Sequence, residues 1–449
     1  MDHTQLIQSE IGKMNAKEVI EFQNQKFLNQ IAYVLKNSAF YQKKFTDQNL
    51  SVNDIKSIDD LTKIPFTEKQ ELRDALLQQP PRLGANQAAS DVSLVRIHSS
   101  SGTTGRPTYV GLTKQDAELW DQTIGRALSI AGIGPTDVVA HCWNYSMFVG
   151  GLANHLGGET TGATMIPIGI GQSNRLVRMI KELGITAITG TPSYILYLAN
   201  VVRKELGVEP AALGIKTIIT GGEPGGGVPA TRELIESTWN AECHEVMGMV
   251  DIHPMIGAEC QHKQGMHFTV PDLVLTELID VDTGEMLPIA TGVIGEAVYT
   301  HLERYANPIL RFRSHDMIEI LGTECECGHN GYRYRVVGRT DDMLIVKGVN
   351  VYPSAVEDVL RSIDQLTGEF AILLEKEGVQ QDYLNIVAEY ANSVDSSEIE
   401  TLKKEVEKKI AEILLFKANI DLVEPNTLPR FEHKAKRVYK TFLGENITK

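Results

Sequence analysis

The sequence predicts an α/β protein with a large amino-terminal domain and a smaller carboxyl-terminal one. Short apolar runs alternate with stretches of helical periodicity through the middle of the chain, a pattern typical of parallel sheets covered by helices. Short strands and turns dominate from about 268 to 340, so a β-rich part should follow. A second α/β pattern begins near 340 and indicates a separate small domain.

The middle of the chain supplies the individual elements. Apolar runs that read as buried strands occupy residues 137–142, 164–169, 185–190 and 216–220. Between them, 172–184 and 192–206 repeat apolar residues every three to four positions, as amphipathic helices do. Residues 1–90 are polar and helical in pattern, and they carry no recognisable chemistry.

The domain boundary is predicted within 339–350, in the segment GRTDDMLIVKGVNVYPS. We therefore expect an amino-terminal domain over residues 1–339 and a carboxyl-terminal domain over 340–449. The clearest helix of the second domain should begin with a capping box formed by Ser397 and Glu400. Its apolar face should consist of Leu402, Val406, Ile410 and Ile413.

Composition excludes several classes of protein. The 449 residues are 42% hydrophobic and 22% charged, as in globular proteins, and the chain is too long for one core. A formal charge of −15 argues against a nucleic-acid partner, because such partners need a basic surface. No apolar run could span a membrane, the amino terminus lacks the apolar core of a signal peptide, and five cysteines form no disulfide framework. A cytoplasmic protein is expected.

The strongest single motif is HSSSGTTGRPT at 98–108. Its hydroxyl-bearing and glycine residues suit neither a helix nor a core strand, whereas they allow backbone N–H groups to face an anion. It is not a Walker loop, because the GxxxxGK[ST] spacing is absent. Polyphosphate, with Arg106 adding positive charge, is one interpretation, and a flexible surface loop is the other.

Cysteine and histidine residues form a second constellation. Cys260, His262 and His267 precede a CECGH turn that contains Cys325 and Cys327. Zinc prefers four tetrahedral sulfur or nitrogen ligands, and two cysteines on a tight turn can supply two of them. The alternative is that the cysteines are reduced and unrelated, and the spacing leaves open which histidine would complete the site.

Five segments of the chain together resemble a known superfamily. They are SSGTTGRPT, GGEPGG at 221–226, RFRSHDM at 311–317, GRTDDMLIVKGVNVYPS at 338–354 and LPRFEHKAKRV at 428–438. In this order, over roughly 90–440, the sequence resembles the adenylate-forming superfamily and, within it, the phenylacetate–CoA ligase family. The resemblance implies a large adenylate-forming domain with a small mobile lid domain, and it leaves a homodimer open.

The resemblance also implies a two-step reaction. The carboxylate of a small acid, here an aryl or arylacetic acid by default, attacks the α-phosphate of ATP and releases pyrophosphate. The thiol of coenzyme A then displaces AMP and forms a thioester. Two alternatives remain: an adenylyl transferase that resembles coenzyme F390 synthetase, and a nucleotide-binding homologue with little turnover.

Residue roles follow from the same resemblance. The phosphate loop would include Ser100, Gly102, Thr103, Thr104 and Gly105, and the adenine would pack on Gly222, Glu223 and Pro224. Asp316 would hold the ribose hydroxyls, and Arg339 would lie at the nucleotide. Asp341 would be the hinge of the lid, and Lys434 the catalytic lysine that reaches the carboxylate and the α-phosphate.

The acid pocket and the metal sites are implied in the same way. The pocket is expected to use Tyr145, Phe148, Gly150 and Gly151, with the loop at 191–194 nearby. A plain core aromatic is an equally open interpretation of Phe148. Because relatives carry counterparts of two of the candidate ligands, a structural zinc ion is expected on Cys260, His267, Cys325 and Cys327.

Three positions depart from the family pattern. Val250 stands where a hydroxyl residue usually contacts phosphate, and we expect it to face the nucleotide. Asp251 replaces a glutamate that helps to hold Mg²⁺, and its carboxylate is one methylene shorter. His433 stands where the family usually has glycine. Magnesium on Asp251 is expected, and the alternative is that Val250 and Asp251 merely end a strand.

Overall fold

The structure is a computed structural model that describes residues 11, 14, 16–100, 106–329, 331–347, 349–378, 380–381, 383–431 and 435–447. Its helices are α1 (Ala16–Asn37), α2 (Ala39–Asp47), α3 (Lys69–Gln78), α4 (Lys114–Ile130), α5 (Val149–Glu159), α6 (Ser173–Glu182), α7 (Pro192–Leu206), α8 (Pro229–Trp239), α9 (Pro353–Arg361) and α10 (Ile399–Leu414).

The strands of the first 301 residues are β1 (Leu94–Ser99), β2 (Tyr109–Thr113), β3 (Val138–His141), β4 (Thr164–Ile166), β5 (Ala187–Gly190), β6 (Thr217–Thr220), β7 (Glu242–Met249), β8 (His253–Glu259), β9 (Met266–Phe268), β10 (Val274–Ile279), β11 (Met286–Leu287) and β12 (Ile294–His301). Those that follow are β13 (Phe312–Gly322), β14 (Arg333–Arg339), β15 (Leu344–Val346), β16 (Val349–Val351), β17 (Leu366–Leu374), β18 (Gln380–Gln381), β19 (Leu384–Tyr390), β20 (Ala418–Val423) and β21 (Val438–Lys440).

Within the described residues, twelve strands form one sheet in the order β11-β10-β12-β13-β14-β9-β8-β7-β6-β5-β3-β4. Strands β3 to β7 pair in parallel, and β7 pairs antiparallel with β8. The predicted α/β class is confirmed. The parallel part and the β-rich part are two halves of the same sheet, because β7 belongs to both.

The predicted elements of the parallel half are present, each within two residues of its predicted limits except at the end of β4. Helix α7 is capped by Thr191, whose side chain accepts the amide of Tyr194, begins with Pro192, and ends at Gly207 in the left-handed region (φ 64°). Strand β4 ends three residues before the predicted limit at 169, because Pro167 has no N–H to donate to a ladder.

The amino-terminal helices pack against the antiparallel half of the sheet. Phe27 and Ile31 of α1 are fully buried. The Gln30 amide donates to the carbonyl of Arg304 at 2.8 Å. Residues 16–90 are therefore an integral layer of the large domain, even though their sequence is mostly polar.

The carboxyl-terminal part contains a four-stranded sheet in the order β20-β19-β17-β21, packed against α9 and α10. The predicted capping box at Ser397 and Glu400 is wrong. The N-cap of α10 is Glu398, without a side-chain cap, and the Ser397 hydroxyl donates to Asp395 instead. Ile413 is 55% exposed, so the buried face consists of Leu402, Val406 and Ile410.

Across the described ranges, every helix is too short or too polar to pass through a lipid bilayer.

Candidate active site

The expected phosphate loop connects β1 to β2, which pair as an antiparallel hairpin. Gly102, Thr103, Thr104 and Gly105 lie outside the described residues. Ser100, at the start of the loop, is 8% exposed, and its hydroxyl accepts the amide of Thr108 at 2.9 Å. The two ends of the loop are thus joined at its base.

Asp251 lies in the turn between β7 and β8 and reaches this base. Its Oδ1 accepts the hydroxyl of Thr108 at 2.6 Å, and Thr108 Oγ1 is 3.0 Å from Ser100 Oγ. Its Oδ2 accepts Lys69 Nζ at 2.9 Å. The carboxylate side chain is 3% exposed and the lysine 32%, so Lys69 balances an otherwise buried negative charge.

Lys69 comes from the polar segment that has no recognisable motif. The segment is fastened to the site by Thr67, whose amide donates to the carbonyl of Arg311 at 2.8 Å. Glu68 Oε2 lies 3.2 Å from Nε2 of His315, next to the expected ribose carboxylate. The hydrogen bond to Glu68 raises the pKa of His315 and lowers that of Glu68. The amino-terminal segment therefore touches the site at two points.

Asp316 and Arg339 are brought together across β13 and β14. Arg339 Nη1 donates to Asp316 Oδ1 at 2.7 Å, and its Nε and Nη2 donate to the two oxygens of Asp341 at 2.9 Å each. Burial alone would raise the pKa of Asp341, but the hydrogen bonds and charge of Arg339 outweigh it and lower that pKa. One guanidinium thus links the expected ribose ligand to the expected hinge.

The GGEPGG segment follows β6, with Gly222 in the left-handed region at φ 86°. Gly222 and Pro224 are exposed, as adenine contacts would require. The carboxylate of Glu223 is half-buried and accepts the amides of Ser193 at 2.8 Å and Ala435 at 2.6 Å. Burial raises the pKa of Glu223, and these hydrogen bonds offset the rise only in part.

Lys434 immediately precedes Ala435 and, with His433, lies outside the described residues. Its expected contact with the acid and the α-phosphate therefore stays a prediction.

The expected acid pocket adjoins the phosphate loop. The amide of Ser99 donates to the carbonyl of Met147 at 2.9 Å, which joins the loop before α5 to the end of β1. Phe148 is the N-cap of α5 and is 37% exposed, so it is not a plain core aromatic. A Cβ at Gly151 would lie 2.1 Å from the carbonyl oxygen of Asn144, so only glycine fits there.

Aromatic and imidazole rings pack behind this loop. His141 is fully buried and packs edge-on against Trp143 and Tyr145. The Tyr145 hydroxyl lies 2.8 Å from His155 Nδ1. A Cβ at Gly150 would contact the Trp143 side chain at 3.5 Å. Burial lowers the pKa of His141 to about 4, so this ring is neutral.

The sequence contains no motif that points to His141 or His155. Their spacing from Tyr145 in the sequence does not predict a contact, because the three rings come together only in the folded chain.

Val250 does not face an open site. It is 7% exposed and belongs to a buried apolar cluster that also contains Trp120 and Met255. A hydroxyl at this position would enter that cluster. The expected orientation toward the nucleotide is therefore wrong, because the turn before β8 directs the side chain into the core.

The four expected zinc ligands converge in the antiparallel half of the sheet, at the end of β8, on β9 and in the turn between β13 and β14. Their ligand atoms all lie within 4.8 Å of one another, in the set Cys260, His267, Cys325 and Cys327. The Sγ atoms of Cys260 and Cys325 are 3.8 Å apart, and Cys327 Sγ is 3.3 Å from His267 Nε2. This donor set of three sulfurs and one imidazole fits a tetrahedral metal ion.

The geometry also distinguishes the two candidate histidines. His267 Nδ1 lies 3.4 Å from the carbonyl of Gly331, an arrangement that leaves Nε2 facing the cysteines. His262 is outside the cluster, with Nδ1 3.9 Å from Glu326. His267 therefore belongs to the candidate metal centre.

Sequence comparisons match nearly the whole chain to one enzyme family. The AMP-binding enzyme family matches residues 23–301, and its C-terminal domain matches 348–441. The phenylacetate–coenzyme A ligase of Thermus thermophilus is 32% identical over 96% of this chain and 99% of its own length. The enzyme of the same name from Escherichia coli is 30% identical over 97% of this chain and 98% of its own.

The fold is similar to that of 2-hydroxyisobutyryl-CoA ligase. In the postadenylation state, in complex with 2-HIB-AMP, that ligase gives a TM-score of 0.89 at 29% identity, covering 96% of this chain and 92% of the other. In the thioesterification state, with 2-HIB-AMP and CoA, the TM-score is 0.70 at 30% identity, covering 95% and 90%. The arrangement found here is closer to the postadenylation state.

The motifs, the shared fold and the length of these matches lead to one assignment. The chain belongs to the adenylate-forming AMP-binding enzymes, in the phenylacetate–CoA ligase family of ATP-dependent, AMP-forming acid–CoA ligases.

Proposed function

We propose that this ligase activates an aryl or arylacetic acid and transfers it to coenzyme A. The main support is a hydrogen bond between the expected acid pocket and the β1–β2 hairpin that carries the phosphate loop. In it, the amide of Ser99 donates to the carbonyl of Met147. An acid held against Trp143 and Tyr145 would have its carboxylate directed toward the loop that binds ATP. The curated relatives named for phenylacetate support an aromatic substrate.

The chemistry needs positioning and charge neutralisation more than covalent help from the protein. Ser100 and the rest of the phosphate loop would orient the polyphosphate, and Asp316 would accept the ribose hydroxyls. Lys434 would neutralise charge between the acid and the α-phosphate. Asp341 would be the point about which the lid turns before coenzyme A attacks. We place the reaction in the cytoplasm, where the five thiols would stay reduced.

Asp251 fits a magnesium site of the usual kind, in which one carboxylate and the phosphates of the substrate share the ion. Its Oδ2 accepts a hydrogen bond from Lys69 Nζ, and its Oδ1 accepts one from the Thr108 hydroxyl. When bound there, Mg²⁺ would neutralise phosphate charge during adenylate formation. The anchored oxygen would keep the carboxylate pointed at the phosphate loop.

The cluster of three cysteines and His267 fits zinc. It lies outside the expected nucleotide and acid contacts, so a structural role is proposed. It would connect β8, β9 and the turn between β13 and β14.

Pyrophosphate release in a panel of carboxylic acids tests the proposal. Phenylacetate and ring-substituted relatives should support release, and adding coenzyme A should give the acyl-CoA. Release with a short branched 2-hydroxy acid alone would contradict the aromatic substrate class. Adenylate transfer to an acceptor other than CoA would indicate an adenylyl transferase, and no release with any acid would indicate a binding homologue.

A further inference from the structure

A single carboxylate joins the two domains through backbone amides. Glu223 Oε1 accepts the amide of Ser193, in the first turn of α7, and Oε2 accepts the amide of Ala435 in the carboxyl-terminal domain. We call this pair of contacts the Glu223 bridge. The first contact also places the carboxylate at the positive end of a 15-residue helix, which favours its charged form.

The segment after Ala435 is fixed to its own domain. The Arg437 side chain is 9% exposed and its Nη1 donates to Glu369 at 2.7 Å, with Glu357 of α9 3.6 Å away. β21 then pairs in parallel with β17. A rotation of the carboxyl-terminal domain must therefore carry Ala435 away from Glu223.

The arrangement of the two domains in this chain can be compared with states of a solved relative. The same 2-hydroxyisobutyryl-CoA ligase matches this chain with a TM-score of 0.89 in its postadenylation state and 0.70 in its thioesterification state. The present arrangement, with the bridge made, resembles the first. In an arrangement like the second, the amide of Ala435 would need another acceptor.

We propose that Glu223 is a positioning residue that holds the carboxyl-terminal domain in place for adenylate formation and releases it for thioester formation. This rests on the proposed function, in which Lys434, the neighbour of Ala435, acts in the first step. Glu223 acts on that lysine through the backbone, in addition to any contact with adenine.

Glu223→Gln tests the proposal, because an amide offers one acceptor and one donor where two acceptors are needed. Acid-dependent ATP–pyrophosphate exchange should fall about tenfold to a hundredfold, the usual worth of a hydrogen bond to a charged group. Thioester formation measured at saturating acyl adenylate, where any loss of adenine binding is masked, should fall far less. Glu236→Gln is the matched control: Glu236 accepts the amide of Cys243 inside one domain, so both half-reactions should be unchanged.

Hydrogen–deuterium exchange of the AMP-bound protein gives a readout independent of activity. In Glu223→Ala at saturating AMP, the amides of Ala435 and Ser193 should exchange faster than in the wild type. Unchanged exchange at Ala435 would overturn the proposal, and so would an equal loss in both half-reactions with weaker AMP binding. If the wild type activates no acid, the proposed function fails, but the exchange experiment still decides whether the bridge exists.

Discussion

The carboxylates near the expected nucleotide site differ in the groups that surround their negative charge. Asp251 has the ammonium group of Lys69 on one oxygen. Glu223 accepts backbone amides and the Ser193 side chain, and Glu245 of β7 has another carboxylate, Glu259, as a close neighbour. Mutation of these acids should therefore have different consequences, although all three are near the expected ATP contacts.

Asp251→Asn should raise the Mg²⁺ requirement and slow pyrophosphate release, because a neutral amide is a poor ligand for a hard cation. The contact with Thr108 should survive, since the amide oxygen can still accept its hydroxyl. Binding of AMP should change little. The measurement is a Mg²⁺ titration of acid-dependent pyrophosphate release. An unchanged Mg²⁺ dependence would mean that Asp251 only anchors the phosphate hairpin.

Glu245→Gln should remove a pH dependence of stability. Burial, and then the charge of Glu259, raise the pKa of Glu245 from 4.5 to about 7. A raised carboxyl pKa stabilises the fold below pH 4.5, and that contribution is lost as the pH rises through 7. The wild type should thus lose up to about 3 kcal/mol relative to the variant over this interval.

Urea unfolding at several pH values measures the difference. Glu233→Gln, at an exposed position of α8, is the control and should follow the wild type. Parallel curves for the wild type and Glu245→Gln would show that Glu245 ionises normally.

At the scale of elements, the candidate zinc centre lies where β9 joins β8 to β14. β8 is joined to β9 by the short segment 260–265, whereas β14 reaches β9 only through the sheet. A metal ion bound to Cys260, His267, Cys325 and Cys327 would tie this junction together, so its energetic role would be local.

Metal analysis should find about one zinc per chain, and chelation should lower the unfolding temperature before it alters KM. His267→Ala should lose the metal, whereas His262→Ala should keep it, because His262 lies outside the cluster. Full stability and activity in a metal-free preparation would refute the structural role.

The sequence predicted elements best where local pattern alone decides them. The parallel strands could be predicted because each apolar run is short and stands next to a helical period. The capping box at Ser397 failed because Asp395, two residues earlier, competes for its hydroxyl. Lys69 could not be predicted, since its partner Asp251 is 182 residues away and no motif surrounds it.

At the scale of the molecule, the site combines distant parts of the chain, from α3 to the segment after Leu428. The five motifs predicted which segments contribute to it, because each motif is recognisable without knowledge of the rest of the fold. What could not be predicted is how the domains meet. The Glu223 bridge depends on the arrangement of whole domains, because the amide of Ala435 and the carboxylate of Glu223 belong to different ones.

Lys434→Ala should lower adenylate formation by several orders of magnitude, because charge between the acid and the α-phosphate would be uncompensated. Thioester formation from supplied acyl adenylate should suffer far less. Rapid-quench measurement of each half-reaction checks this, with the effect in kcat more than in KM. Lys436→Ala is the control, since Lys436 pairs with Glu445 and should affect neither step. Equal losses in both steps for Lys434→Ala would contradict the assigned role.

The Glu223 bridge limits how far the overall turnover rate of the enzyme could rise by mutation. A contact that forms for adenylate formation and breaks before thioester formation affects the rates of the two steps in opposite directions. Strengthening it would speed adenylate formation and delay the departure of the domain, so that overall turnover would pass through a maximum. Variants with a more tightly closed lid should therefore accumulate acyl adenylate and turn over more slowly.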